Sequence, residues 1–204
     1  DTLNSNTFPW SIATSERQEL LNKNISNKIN LKDYIDYRYN QSISNIKFDK
    51  SDSSQTKEKR VISYLTINWF MQTLLDRSDR MSMYNGLELR VPFCDYRLVQ
   101  YMWNVPWEMK AYKNREKGML RHIVKDLLPD EIVNRKKSPY PKTHNPTYLN
   151  TVKNMITKIM EDPNAPINSL LNREYILEIL RTNGESFKRP WFGQLMTGPQ
   201  LMAY

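Results

Sequence analysis

An all-α fold is what this sequence predicts, and three observations predict it. Apolar residues recur at three- and four-residue steps over residues 56–84, where Val61, Tyr64, Ile67, Met71 and Leu74 form one stripe and Ile62, Leu65 and Trp69 a second beside it. Another stripe, Met119, Leu120, Ile123, Val124, Leu127 and Leu128, lies opposite Arg121, His122, Lys125 and Asp126. Period-two alternation is confined to residues 87–91, too short to build a sheet alone.

Taken in order, residues 15–25 and 31–48 read as helices, the second with Asn30 as N-cap and Tyr34, Ile35 and Arg38 at helical spacing. The polar stretch 50–59 reads as a surface loop leading into the long helix. That helix, apolar on two faces, is expected to be a buried central post, and at 1.5 Å per residue it would be about 40 Å long. Gly86 breaks its pattern. The connector after it puts Leu87, Leu89 and Val91 on one side and Glu88 and Arg90 together on the other, before Pro92 ends the run, and Glu88, Arg90 and Asp95 are expected to form a buried ion-pair scaffold. Pro129 closes the helix of residues 117–128, and Asp130 and Glu131 suit the first turn of a short one. Residues 136–146 contain Pro139, Pro141 and Pro146, which forbid a helix there and leave an exposed basic loop. Helices resume at residues 147–160, 173–183 and 191–203, so residues 1–204 read as a single helical region.

The balance of 30 Lys+Arg against 22 Asp+Glu gives a formal charge of +8 and points to an anionic partner. A single cysteine, Cys94, excludes an internal disulfide framework and makes a cytoplasmic setting the default. No apolar run approaches the roughly 20 residues of a membrane span. The start, Asp1-Thr2-Leu3-Asn4, has neither a basic nor an apolar leader region and no initiator Met, and reads as a piece of a longer chain.

Metal and nucleophile templates fail. His122 and His144 stand far apart without Cys or carboxylate neighbours at ligand spacing, so no metal site is expected. Cys94 sits among apolar residues as a small core filler, and no glycine-rich phosphate loop occurs. Two charged clusters remain. In Asp76-Arg77-Ser78-Asp79-Arg80, spacings of three and four put Asp76, Arg77 and Arg80 on one helix face. They form either a self-paired salt-bridge net or guanidinium groups aimed at a carboxylate or phosphate. Arg135-Lys136-Lys137 is either a solvated basic loop or a lysine on a lid that meets the departing phosphates of a nucleotide.

The run Asp79-Arg80-Met81-Ser82-Met83-Tyr84-Asn85-Gly86-Leu87-Glu88-Leu89-Arg90-Val91-Pro92-Phe93-Cys94-Asp95 resembles the asparagine synthetase signature D-[RK]-x-[ST]-M followed by E-x-R-x-P-F-L-D, departing at Cys94 where leucine is usual. Lys117-Gly118-Met119-Leu120-Arg121 and then Leu127-Leu128-Pro129 resemble the next helix of that family, K-x-x-L-R followed by L-P. Asn134-Arg135-Lys136-Lys137-Ser138-Pro139-Tyr140 is similar to its R-x-K loop.

The resemblance implies the helical C-terminal portion of an α/β synthetase domain of the adenine-nucleotide α-hydrolase-like, ATP-pyrophosphatase type. It implies asparagine formation through β-aspartyl-AMP, using ATP, aspartate, glutamine-derived ammonia and Mg2+. It makes Lys137 the catalytic residue that meets pyrophosphate, with Lys136 beside it as the alternative. Arg77, Asp79 and Arg80 become candidates for aspartate or phosphate contact. The family's S-G-G-x-D-S loop, its G-E-G-x-D-E segment and the leading cysteine of its glutaminase domain do not occur here and are expected upstream. The chain alone is therefore expected to bind ATP feebly and make no asparagine. The rest of its own polypeptide is the expected partner, with neither nucleic acid nor membrane, and a homodimer is left open. Another amide-forming relative, such as a β-lactam synthetase, is the first alternative. A basic helical module gripping nucleic-acid phosphates is the second, and a pure scaffold the third.

Overall fold

The computed structural model describes residues 7–11, 13–137 and 145–186. Helices form all of its regular structure among those residues, with one isolated antiparallel bridge between Leu21 and Leu171 and no strand. The chain divides into two compact units, residues 1–41 with 139–204, and residues 42–138. The helix expected at residues 191–203 lies outside the described residues.

In the first unit the expected helix at residues 15–25 is two short ones, α1 (Thr14–Glu19) and α2 (Lys23–Ser26). The chain between them is held extended by a bridge: Asn22 N–H donates to Leu170 O and Asn172 N–H to Leu20 O, both at 2.8 Å. Two asparagines work on both sides of it. Asn22 Oδ1 caps α2 at Ile25 N–H and Asn172 Oδ1 caps α11 (Arg173–Arg181) at Tyr175 N–H, while their amides donate to Ser169 O and Glu19 O. The helix α3 (Leu31–Ile43) starts as predicted, with Asn30 Oδ1 accepting from Lys32 and Asp33 N–H, but stops short of Phe48. Pro146 begins α10 (Pro146–Glu161), with Asn145 as cap, so this proline starts a helix rather than forbidding one.

Val152 and Met160 of α10 and Ile176, Ile179 and Leu180 of α11 make the core of this unit, with Leu20, Tyr148, Leu149 and Leu171 packed against it. Arg173 fixes the crossing by donating to Met160 O at 2.7 Å. Ile179→Val removes one methylene from this core and is expected to cost about 0.5–1.5 kcal/mol, read as a lower denaturant midpoint at unchanged slope.

In the second unit the expected single post is three pieces: α4 (Ser54–Leu65), a π-helical segment Thr66–Met71, and α5 (Gln72–Tyr84). The widened turn holds Thr66, Ile67, Asn68, Trp69, Phe70 and Met71. Asn68 Nδ2 takes up Tyr64 O at 2.9 Å, and Trp69 Nε1 donates to the buried Ser42 Oγ at 2.9 Å. One extra residue in a turn rotates the remainder of the helix by about 100°, which breaks both predicted stripes. Burial on two faces consequently fails: Leu65, 1% exposed, is the buried residue of the post.

Beyond Gly86 the connector has no regular structure until a 3₁₀ turn at Pro92–Cys94, as its alternation implied. Then come α6 (Tyr96–Asn104), capped by Asp95, and the short α7 (Trp107–Lys110). Cys94 Sγ lies 3.6 Å from Met71 Sδ and is half-buried, a packing role. The helix expected at residues 117–128 is shorter, α8 (Gly118–Ile123), leaving Leu127 and Leu128 exposed in turns, and α9 (Asp130–Asn134) follows Pro129 as predicted.

Candidate functional site

The acidic–basic cluster sits in the exposed middle of α5. Arg80 Nε donates to Asp76 Oδ1 at 2.8 Å, the four-residue pairing read from the sequence. Such an exposed pair is worth under about 1 kcal/mol, so it orients more than it stabilises. The Arg77 guanidinium and the Asp79 carboxylate are exposed, with no hydrogen-bond or ion-pair partner among the described residues. Glu88 and Arg90 do pair, Nε to Oε1 at 2.9 Å and Nη2 to Oε2 at 3.1 Å, but in the open. The buried pair expected there is corrected to a surface one, since no described residue of this unit covers the two side chains. His122 is exposed as expected, its ring 4.8 Å from that of Tyr112.

The basic segment is more informative. Lys136 and Lys137 are exposed, in irregular chain just after α9. Their root is anchored from beneath. Arg121 on α8 donates from Nη1 to Val133 O, from Nη2 to Arg135 O at 3.0 Å, and from Nε to Glu116 O at 2.9 Å. Arg115 donates to Asn134 Oδ1 at 2.8 Å and Asn134 O at 3.3 Å. Two fixed guanidinium forks thus occupy the carbonyls at the end of α9, which no helical amide can reach. The lysine ammoniums beyond are left without a partner among the described residues. Charged groups on a fixed root suit an anionic ligand, because little ordering remains to be done on binding.

The structure therefore joins Asp76 to Arg80 and the segment 133–135 to Arg121, but no hydrogen bond or ion pair among the described residues joins residues 76–80 to Lys136 or Lys137. None of the five candidate residues lines any of three cavities formed by described residues. Ser138, Pro139, Tyr140 and His144 lie outside the described residues. Arg115 and Arg121 were missed as site residues. Arg121 closes the K-x-x-L-R string, so its signal was present, but it reads there as one more residue of a polar helix face. Replacing Arg121 by Met is expected to strand the carbonyls of residues 133 and 135, costing about 1–3 kcal/mol. Hydrogen exchange at residues 133–137 should speed up first, and unchanged protection there would refute the anchor.

Fold and string together define a helical portion of an asparagine-synthetase-like protein that presents lysines on an anchored segment. Likeness to known proteins bears out the family. The family model described as Asparagine synthase matches residues 1–202. Asparagine synthetase [glutamine-hydrolyzing] 3 of Bacillus subtilis (strain 168) is 48% identical over 197 residues, 97% of this chain and 32% of that relative. Asparagine synthetase 1 of the same organism is 27% identical over 131 residues, and the Mesocricetus auratus asparagine synthetase 37% over 120, each match covering 20% of the relative. The chain belongs to the asparagine synthase family, and spans about a third of the length of the first of these relatives.

Proposed function

We propose that this chain is the C-terminal helical part of the synthetase domain of a glutamine-hydrolysing asparagine synthetase, set in the whole protein beside an α/β nucleotide-binding portion. The observation that carries the reading is the Asp79–Asp95 string, lying within a 48% match to a relative of that name. The reaction is an adenylation followed by an amidation. An oxygen of the aspartate side-chain carboxylate attacks the α-phosphorus of ATP, the bond to the bridging oxygen breaks, and pyrophosphate leaves with that electron pair. Ammonia then adds to the acyl carbon of β-aspartyl-AMP, AMP departs, and the nitrogen gives up a proton.

Negative charge builds on the pyrophosphate in the first step, and Lys137, with Lys136 beside it, is the cation assigned to meet it. Arg77 and Arg80 are assigned to the substrate anions, Arg77 with its whole fork available and Arg80 already steadied by Asp76. Asp79 is assigned to the same border of the site. Among the described residues no three His, Cys, Asp or Glu side chains come together as cation ligands. Mg2+ accompanying ATP in the whole protein would be held chiefly by the phosphates, with one or two carboxylates, and would neutralise their charge.

The partner assigned is the remainder of the same polypeptide. Met81, Met83, Tyr84, Leu87, Leu89 and Phe93 are exposed within the signature string, from 49% at Leu89 to 91% at Tyr84. Apolar side chains crowded in this way mark a face that another surface covers. No helix among the described residues is long and apolar enough to cross a membrane, and a cytoplasmic setting is part of the proposal.

The test is product analysis with the full-length protein, supplied with ATP, aspartate and ammonia. Asparagine, AMP and pyrophosphate should appear in equal amounts, whereas ADP in place of AMP, or an amide of another acid, would refute the reading. The 204-residue chain by itself, which contains no glycine-rich phosphate loop, should form none of the three. Turnover by it would show the site to be complete without further chain.

A further inference from the structure

The second unit holds a cavity of about 170 Å³ between α4 and the segment leading from the end of α6 through α7, and none of the residues assigned to the synthetase site lines it. Its charges are unbalanced. Arg60 is fixed and neutralised in the wall: its Nε lies 2.9 Å from Asp52 Oδ2, and Nη1 donates to Trp103 O at 3.3 Å. Its guanidinium carbon stands 5.5 Å from the centroid of the Trp103 ring. Asp52 is thereby used up, its side chain only 6% exposed. Lys59 holds its ammonium 5.4 Å from the centroid of the Trp107 ring and has no carboxylate partner among the described residues. Lys110 is half-buried, and no described residue gives it a hydrogen bond or an ion pair. Burial, and then the nearby Arg60 guanidinium, push its pKa below the ordinary lysine value. Glu108 lines the rim without pairing with either lysine.

Two ammoniums without a carboxylate, one over an indole ring and the other partly desolvated beside a guanidinium, make a site whose cost falls when an anion enters. A volume of about 170 Å³ is below the roughly 300–1,000 Å³ of pockets for drug-sized ligands, so a whole nucleotide is too large. Compact oxyanions suit lysine point charges, and Ser63 lines the same cavity. We propose that this cavity binds a small phosphate oxyanion, orthophosphate or pyrophosphate, between Lys59 and Lys110. The proposal does not rest on the synthetase reading, because binding is measured without turnover.

The full-length protein is titrated with sodium phosphate and, separately, sodium pyrophosphate at constant ionic strength, with sodium chloride and sodium aspartate as controls. Calorimetry and tryptophan fluorescence are the readouts, since Trp103 and Trp107 line the cavity. Saturable binding of either phosphate species is expected, weakened about tenfold by Lys59→Gln or Lys110→Gln and largely kept in Lys110→Arg. The same anion should raise the melting temperature of the wild type but not of the double Gln variant, whose fold is checked by circular dichroism. Pyrophosphate binding that survives Lys137→Ala and is lost in the double Gln variant places it here. Binding lost in Lys137→Ala and untouched by the Gln changes would overturn the proposal, as would no binding of either anion, or equal binding of aspartate.

Discussion

Lys137→Ala in the full-length protein is expected to lower asparagine synthesis by about 10²–10³-fold, the scale on which losing one charge-stabilising donor reduces kcat. In the proposed reaction the effect follows from where charge appears. When the bond to the α-phosphorus breaks, pyrophosphate takes the electron pair, and an ammonium held there is worth more in the transition state than in the bound substrate. The loss should therefore fall on kcat more than on KM for ATP. Lys137 is exposed on a segment whose carbonyls Arg115 and Arg121 hold, so truncating its side chain removes a charge without loosening the root. Lys137→Arg should recover part of the rate, being a cation of different shape. Lys136→Ala should cost much less. Glutamine hydrolysis by the same protein, which separates no phosphate charge, should continue unchanged. A normal rate in Lys137→Ala together with a lost one in Lys136→Ala would move the role one residue along the chain.

How far the sequence carries one to this site depends on the kind of information each feature needs. Helical class, the cap at Asn30 and the short helix after Pro129 are local, and local signals were enough. The Asp76–Arg80 pair and the side-by-side placement of Glu88 and Arg90 follow from spacing alone. Their exposure does not, because periodicity says which side chains are apolar or share a face and not what covers them. That gap misled the reading of the post, where two stripes implied burial on both sides and a π-helical turn shifts the register between Leu65 and Gln72. The anchoring arginines were illegible for another reason: their partners are carbonyls, whose directions depend on where α8 sets the chain of residues 133–135. The cavity beside Lys110 joins residues about half the unit apart in sequence, and no spacing rule reaches that far.

Gly118→Ala is expected to be the most destabilising small substitution in the second unit. Two effects of opposite sign meet there. Alanine is the better helix former by about 1 kcal/mol, and Gly118 is the first residue of α8. Against that, a Cβ at residue 118 would overlap Tyr112 O and stand 2.6 Å from Tyr112 N, both backbone atoms that no rotamer change can remove. The chain is brought this close by left-handed backbone at Lys113 (φ 59°), Asn114 (φ 52°) and Lys117 (φ 55°), conformations that are themselves costly for residues with a side chain. Little slack is left to absorb a shift, so the clash outweighs the propensity gain, and a net loss at or above about 3 kcal/mol is expected. The damage should also travel, because Arg121 is on the same helix as Gly118. If α8 moves off Tyr112, the guanidinium that holds residues 133 and 135 moves with it, and synthesis should fall along with stability. Gly86→Ala supplies the comparison: its φ of 69° strains an added side chain, but nothing lies within 4 Å of the new Cβ. That change should cost only about 1 kcal/mol. Denaturant unfolding of both variants decides the matter, and a Gly118→Ala protein more stable than Gly86→Ala would mean that the chain at Tyr112 does not lie against α8.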